Sequence, residues 1–238
     1  MLPILISLGP VKIYSFGVCL AIGLLLSMYW WWKMGRDEHF DEIALFDGFF
    51  LSTMVYLVVG RIGYVLLHVS ELGTLYRSLA LLAYPGINTA IGIVAVIVFM
   101  ILFARGHGWN EWKVGDSLVV SLSMMLIMGG VGAVLNGINP VWQANVWLLI
   151  WAIVTFALVS RVRKNFRFYA WYKGESSMAA EGLASLIFGL LTGIYYLGMQ
   201  QFVIGGLGVA ISAFLIYKRV GRREGTLWGK LSNIIRRR

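Results

Sequence analysis

The sequence predicts an all-α polytopic membrane protein with seven transmembrane helices, its N-terminus outside the cytoplasm and its C-terminus inside. Three observations lead there. Of the 238 residues, 59% are hydrophobic and only 13% charged, about half the charge that a soluble surface carries. The apolar residues gather in blocks near the ~20-residue length that crosses a hydrocarbon core ~30 Å thick. The Lys and Arg of the connecting segments fall almost wholly on one side of the membrane.

Taken in order, the expected spans run over residues 11–32, 43–68, 86–104, 115–137, 145–160, 178–197 and 202–217. The first block is too long for a cleaved signal peptide and lacks a basic n-region and a small-x-small cleavage site, so it reads as a retained span. Residues 75–84 are apolar but too few to cross, which suggests a re-entrant or surface-lying helix before the third span. The fifth block is short.

Orientation follows from the cations. The outer segments hold Lys12 and Arg77, whereas the inner ones hold 17 Lys and Arg, with Arg61 left inside a span. The chain then divides into a seven-helix domain, 1–217, and a basic cytoplasmic tail, 218–238. In the tail, Leu227, Trp228, Leu231, Ile234 and Ile235 fall on one helical stripe among basic residues. Such a segment would lie on the anionic lipids of the inner leaflet. Positive-inside bias and lipid contact therefore account for the net charge of +9 without a nucleic-acid partner.

Arg61, in Gly60-Arg61-Ile62-Gly63-Tyr64, carries the most information. A charged side chain inside a span costs at least ~2.5 kcal/mol and usually faces a cavity or a partner. The second span runs outward, which sets Arg61 in its outer third, and Gly60 and Gly63 would admit a neighbouring backbone or a lipid headgroup. Arg61 is then either a snorkelling or ion-paired structural residue or an anion-binding one. The same topology brings Asn88, Thr89, Gly129-Gly130-Val131-Gly132, Asn136-Gly137, Tyr14 and Ser15 to the outer side. Arg61, Tyr64, Tyr14, Asn88, Asn136, Gly129 and Gly132 are accordingly the expected headgroup-binding residues. For the asparagines and tyrosine the alternative is capping or interface anchoring, and for the glycines helix packing. Gly189-x-x-x-Gly193 reads as packing alone.

Asp47 and Asp116, near inner span ends, are expected to pair with loop arginines or to cap helix starts rather than to form a proton relay. Asp47 and Arg61 are 14 residues apart, ~21 Å along one helix, and cannot pair with each other. Cys19 lies within the first span and can form no intramolecular disulfide, being the only cysteine. His39, His68 and His107 fall in loops or at span ends without metal-ligand spacing, so no metal or other cofactor is expected. No phosphate loop and no serine–histidine–acid set is present, and the outer pocket holds no obvious base, so the catalytic residues stay unassigned.

Two segments resemble the bacterial prolipoprotein diacylglyceryl transferases. Ile6-Ser7-Leu8-Gly9-Pro10-Val11-Lys12-Ile13-Tyr14-Ser15-Phe16-Gly17 is similar to that family's opening, and Gly60-Arg61-Ile62-Gly63-Tyr64-Val65-Leu66 to its G-A-R-L-x-Y-V at the end of span two. The resemblance implies a seven-helix enzyme of the bacterial inner membrane. It would move a diacylglyceryl group from phosphatidylglycerol to the lipobox cysteine in a prolipoprotein signal peptide and release glycerol phosphate.

Departures fall on motif positions. Ala90 stands where the family's third span has histidine, Gly130 where its signature has arginine, Ala133 where it has asparagine and Ile138 where it has glutamate. The outer head after span four is cut to a few residues around Asn139-Pro140, and 189–199 lacks the family's arginine and glutamate. The alternative of a different class is a catalytically inactive phospholipid-binding scaffold of the same fold. A transporter is disfavoured, because no span contains proline and no inverted repeat is visible.

Overall fold

The computed structural model describes residues 4–8, 11–69, 86–137, 142–172 and 181–235, with Leu8, Val11, Lys12, 165–172 and 219–235 described by their backbone only. The expected helix at 75–84 lies outside them. Two strands come first, β1 (Ile4–Leu8) and β2 (Val11–Tyr14). Seven helices follow among the described residues: α1 (Ser15–Asp37), α2 (Glu42–Leu67), α3 (Thr89–Gly106), α4 (Glu111–Asn136), α5 (Trp142–Tyr172), α6 (Leu183–Gly198) and α7 (Phe202–Ile235).

Each helix takes one of the seven apolar blocks. Five are long and apolar enough to cross a bilayer, including the fifth, while α6 and the apolar part of α7, Phe202–Lys218, are shorter. Sixteen residues of α6 rise only ~24 Å, short of a ~30 Å hydrocarbon core. Both α5 and α7 continue as helix past their apolar stretch into basic sequence.

Two starts fall on a different kind of backbone from the one expected. The first span was placed from residue 11, but Val11–Tyr14 is a strand, antiparallel to Ile4–Leu8 with Leu8 opposite Val11, Ser7 opposite Lys12 and Ile6 opposite Ile13. β-branched Ile4, Ile6, Val11 and Ile13 favour an extended backbone, and the hairpin satisfies peptide groups that a frayed helix start would leave open. The sixth span was placed from 178, yet Glu181 and Gly182 form a turn and the helix starts at Leu183. Gly182 adopts φ +91°, a left-handed backbone that glycine takes without strain.

The chain forms two compact units, one of Trp31–Val114 and one of Met1–Trp30 with Gly115–Arg238. In the first, α2 packs on α3 along small residues. A Cβ on Gly60 would lie 2.7 Å from Ile87 Cγ2, one on Gly63 2.6 Å from Ile91 Cδ1, and one on Gly92 2.8 Å from the Tyr56 ring. At the other end of the unit, Trp31 donates to the Leu45 carbonyl (2.8 Å) and Phe40 stacks on Trp109 at 4.4 Å. Arg105 pairs with Glu111 (2.6 Å) and Lys113 with Glu38 (3.6 Å). Asp41 caps α2 by accepting from Ala44 N–H (2.9 Å), while Asp47 is exposed on that helix and caps nothing.

In the second unit, Val119, Val120, Val159 and Ala184 form a buried core flanked by Trp30, Phe156, Ile187 and Phe188. Ser121 donates to the Ser27 carbonyl at 2.6 Å, tying α4 to α1. Gly182, the residue that opens α6, offers no capping side chain. Asp116 of α4 replaces it, accepting from Gly182 N–H (2.8 Å), Ser185 N–H (2.9 Å) and Ser185 Oγ–H (2.9 Å). Its negative charge meets the positive end of the α6 dipole and occupies donors that a helix start leaves unpaired. A capping role was one of the two expected for Asp116.

The α6–α7 contact runs through Gly189, Gly193, Gly205 and Gly208, with Gly193 against Val209 and Gly205. A Cβ on Gly193 would stand 2.7 Å from the Val209 nitrogen and 3.0 Å from the Gly205 oxygen, both backbone atoms. Gly193→Ala is therefore expected to cost about 1–3 kcal/mol through forced backbone movement. Gly206, with nothing near its Cβ position, is the control: Gly206→Ala should stabilise α7 by about 0.5–1 kcal/mol. Thermal unfolding of both variants in detergent checks the pair, and the account fails here if Gly193→Ala melts at or above the native temperature.

Candidate functional site

Arg61 projects from α2 seven residues before the helix-ending His68, where Gly60 and Gly63 let α3 come close. It is 7% exposed, and its Nη1 donates to the Gly86 carbonyl at 2.9 Å. The segment entering α3 is held from a second direction, because Asn88 N–H donates to the Gly60 carbonyl at 2.9 Å. A side chain at Gly86 would run into the Tyr64 ring. Residues 86–88 therefore lie across α2 with the Gly86 carbonyl turned to the guanidinium, and a side chain at 86 would have to displace the Tyr64 ring.

Asn88 takes one of the two roles open to it. Its Oδ1 accepts from Ile91 N–H at 3.0 Å and caps α3. The guanidinium carbon of Arg61 stands 5.8 Å from the centroid of the Tyr64 ring, within cation–π range. On its far side along the helix, Tyr64 stacks on His68 at 4.3 Å with 24° between the planes. His68 Nδ1 lies 3.0 Å from the Tyr64 carbonyl oxygen. Guanidinium, phenol and imidazole thus form a column on one face of α2.

The sequence points to Arg61 and Tyr64 of this column but reads His68 as a span-end residue. The signal lay in the spacing, since positions three, four and seven apart share a helix face.

The remaining expected residues belong to the other unit. Tyr14 ends β2 and is 53% exposed, and the next residue, Ser15, is fully buried. Asn136 ends α4, half-buried, and Gly137 follows at φ +64°, the left-handed residue that terminates many helices. Gly129 has open space over its Cα, but a Cβ on Gly132 would lie 2.9 Å from the Phe16 ring and 3.0 Å from Cys19 Cβ. Gly132 is thus a packing residue against α1. Gly130 is packed as well, its Cβ position 2.9 Å from the Leu149 Cα. An arginine, which the resemblance would put at 130, has no room beside that backbone, and Ala133 next to it is buried. These positions of α4 are filled by helix packing.

No group of three or more His, Cys, Asp or Glu suited to a metal ion occurs among the described residues.

The helices and this polar column define a multi-pass membrane protein with a buried guanidinium toward one end of its second span. The sequence signature of the prolipoprotein diacylglyceryl transferase family matches residues 3–140. The chain belongs to that family. It is 26% identical to the phosphatidylglycerol–prolipoprotein diacylglyceryl transferase of Paramagnetospirillum magneticum over 95% of this chain and 84% of that protein. It is 31% identical to the enzyme of the same name from Mannheimia succiniciproducens over 64% of this chain and 57% of that protein. For the one from Agrobacterium fabrum the figures are 26%, 64% and 56%. Against the last two, the chain spans little more than half of the relative's length. The matched segment runs from β1 to the end of α4 and includes Arg61, Tyr64, His68 and Asn88.

Proposed function

We propose that this protein transfers a diacylglyceryl group from phosphatidylglycerol to the lipobox cysteine of a prolipoprotein signal peptide in the bacterial inner membrane. The observation that carries the reading is the buried Arg61, set on α2 within Gly60-Arg61-Ile62-Gly63-Tyr64. A guanidinium matches a phosphodiester in charge and geometry, and it gains strength where water is scarce. As the glyceryl C–O bond breaks, negative charge grows on the departing phosphate, and a fixed cation there lowers the barrier. Tyr64, over which the guanidinium lies, keeps that cation from swinging away, and Asn88 fixes the backbone of the segment in front of it.

Tyr14, Asn136 and Gly129 remain headgroup-contact candidates on their own unit, and Gly132 serves there by letting α1 close on α4. The basic part of α7 after Tyr217 would lie on the anionic inner leaflet.

The reading is tested by reconstitution. Protein in phosphatidylglycerol liposomes should lipidate a lipobox peptide, whereas protein in phosphatidylcholine liposomes should not. Phosphatidylglycerol binding with no product at high protein loading would select a lipid-binding scaffold instead.

A further inference from the structure

Two histidines close their helices in the same manner. His68 Nδ1 lies 3.0 Å from the Tyr64 carbonyl, and His107 Nδ1 lies 2.9 Å from the Phe103 carbonyl. Each ring also packs on the aromatic ring four residues earlier, at 4.3 Å for His68 and 4.2 Å for His107. A carbonyl oxygen only accepts, so in both residues Nδ1 carries the hydrogen. With Nδ1 donating, Nε2 is the ring atom whose lone pair can take a proton.

What separates the two is the helix face behind them. Seven residues before His107 is Met100, an apolar residue. Seven residues before His68 is Arg61, with Tyr64 between them as a ring in contact with both. Two helical turns put the guanidinium and the imidazole on the order of 10 Å apart along α2. An in-line displacement needs about that span. A phosphate sits at one end in a charge-assisted hydrogen bond, and the attacking sulfur approaches the glyceryl carbon from the opposite side. A base must then reach the thiol within about 3 Å at the other end.

We propose that His68 is the general base of the transfer, taking the thiol proton of the lipobox cysteine at Nε2 while Arg61 holds the phosphate. This rests on the diacylglyceryl-transfer reading above. The thiol proton passes to Nε2, and the sulfur lone pair forms the S–C bond. The C–O bond to phosphate breaks, and glycerol phosphate leaves with that electron pair. The imidazolium then returns its proton to the released phosphate or to water. The ionisable groups in the last two turns of α2 are Arg61 and Tyr64, with Asp47 about four turns before Arg61, and on the packed helix α3 the sole ionisable residue is Arg105, at its opposite end. Ala90, which stands where the resembling family has histidine, is exposed on the first turn of α3 and has no titratable group.

The test compares the native protein, His68→Asn and His107→Asn in phosphatidylglycerol liposomes with a lipobox peptide at pH 7 and pH 9. Asparagine retains a donor for the Tyr64 carbonyl but has no Nε2 base. Turnover of His68→Asn should fall about 10²–10⁴-fold at pH 7. That deficit should shrink sharply at pH 9, because a thiol with an ordinary pKa of ~8.5 is by then largely ionised unaided. His107→Asn, the matched cap without an arginine behind it, should keep native turnover. Should His68→Asn fold poorly, His68→Ala with added imidazole replaces it, and dose-dependent recovery is expected. The base assignment falls if His68→Asn is as active as the native protein at pH 7, if its deficit is equal at both pH values, or if imidazole restores nothing. A native protein with no product at either pH overturns the transferase reading itself, and the base with it.

Discussion

Lipidation of a lipobox peptide should fall about 10²–10³-fold in Arg61→Ala, the loss that follows removal of one donor from developing negative charge. Arg61→Lys should recover part of it. Lysine keeps the charge but lacks the planar fork that grips two phosphate oxygens, and its stem does not lie on the Tyr64 ring in the same way. The guanidinium also has a structural duty, since Nη1 donates to the Gly86 carbonyl. Removing it leaves that acceptor unmatched, at about 1–3 kcal/mol if no water reaches it. The two duties separate by measurement. Turnover per folded molecule reports the headgroup role, and the detergent melting temperature reports the Gly86 contact. Equal turnover in Arg61→Ala and the native protein would reduce Arg61 to a clamp for the α3 entry.

The second large effect is on stability. Asp116 is 8% exposed and accepts three hydrogen bonds from the start of α6. Asp116→Ala strips Gly182 N–H, Ser185 N–H and the Ser185 hydroxyl of their acceptor together, and it also removes a charge that opposes Arg163. Breaking a buried charged contact from one side costs about 3–5 kcal/mol. Asp116→Asn retains one acceptor oxygen but turns an N–H₂ toward the helix donors, so it should be intermediate. Asp47→Ala is the comparison, because Asp47 is exposed and caps nothing; its melting curve should match that of the native protein. Equal melting of Asp116→Ala and Asp47→Ala would contradict the capping role.

Much of this architecture was legible from apolar block length alone, since a hydrocarbon core sets the length of every crossing helix. The misread places are those where apolar character continues but the backbone changes. Val11, Ile13 and Tyr14 carry apolar character up to the helix they precede, and such a short run does not separate a four-residue strand from a first helical turn. The start of α6 moved to Leu183 because its cap is supplied by Asp116, a residue 66 positions earlier that local patterns cannot reveal. Arg61 stood out because a charge in a span is costly. Asn88 carried two readings, and a hydrogen bond to Ile91 assigns it to capping. His68 has no metal-ligand spacing to mark it in the sequence, and its partners are a carbonyl and a ring on its own helix. Gly130 and Gly132 belong to motifs that suggest a site, and only the neighbouring Leu149, Phe16 and Cys19 identify them as packing residues.

The central claim is that a chain with Ala90, Gly130 and Ala133 at motif positions still performs the transfer. Mass spectrometry of a lipobox peptide incubated with the native protein in phosphatidylglycerol liposomes tests it most directly. The account predicts a peptide heavier by one diacylglyceryl group in thioether linkage, stable to hydroxylamine, with glycerol phosphate released in equal amount. An unmodified peptide after prolonged incubation at high protein loading, with phosphatidylglycerol still bound, would contradict it.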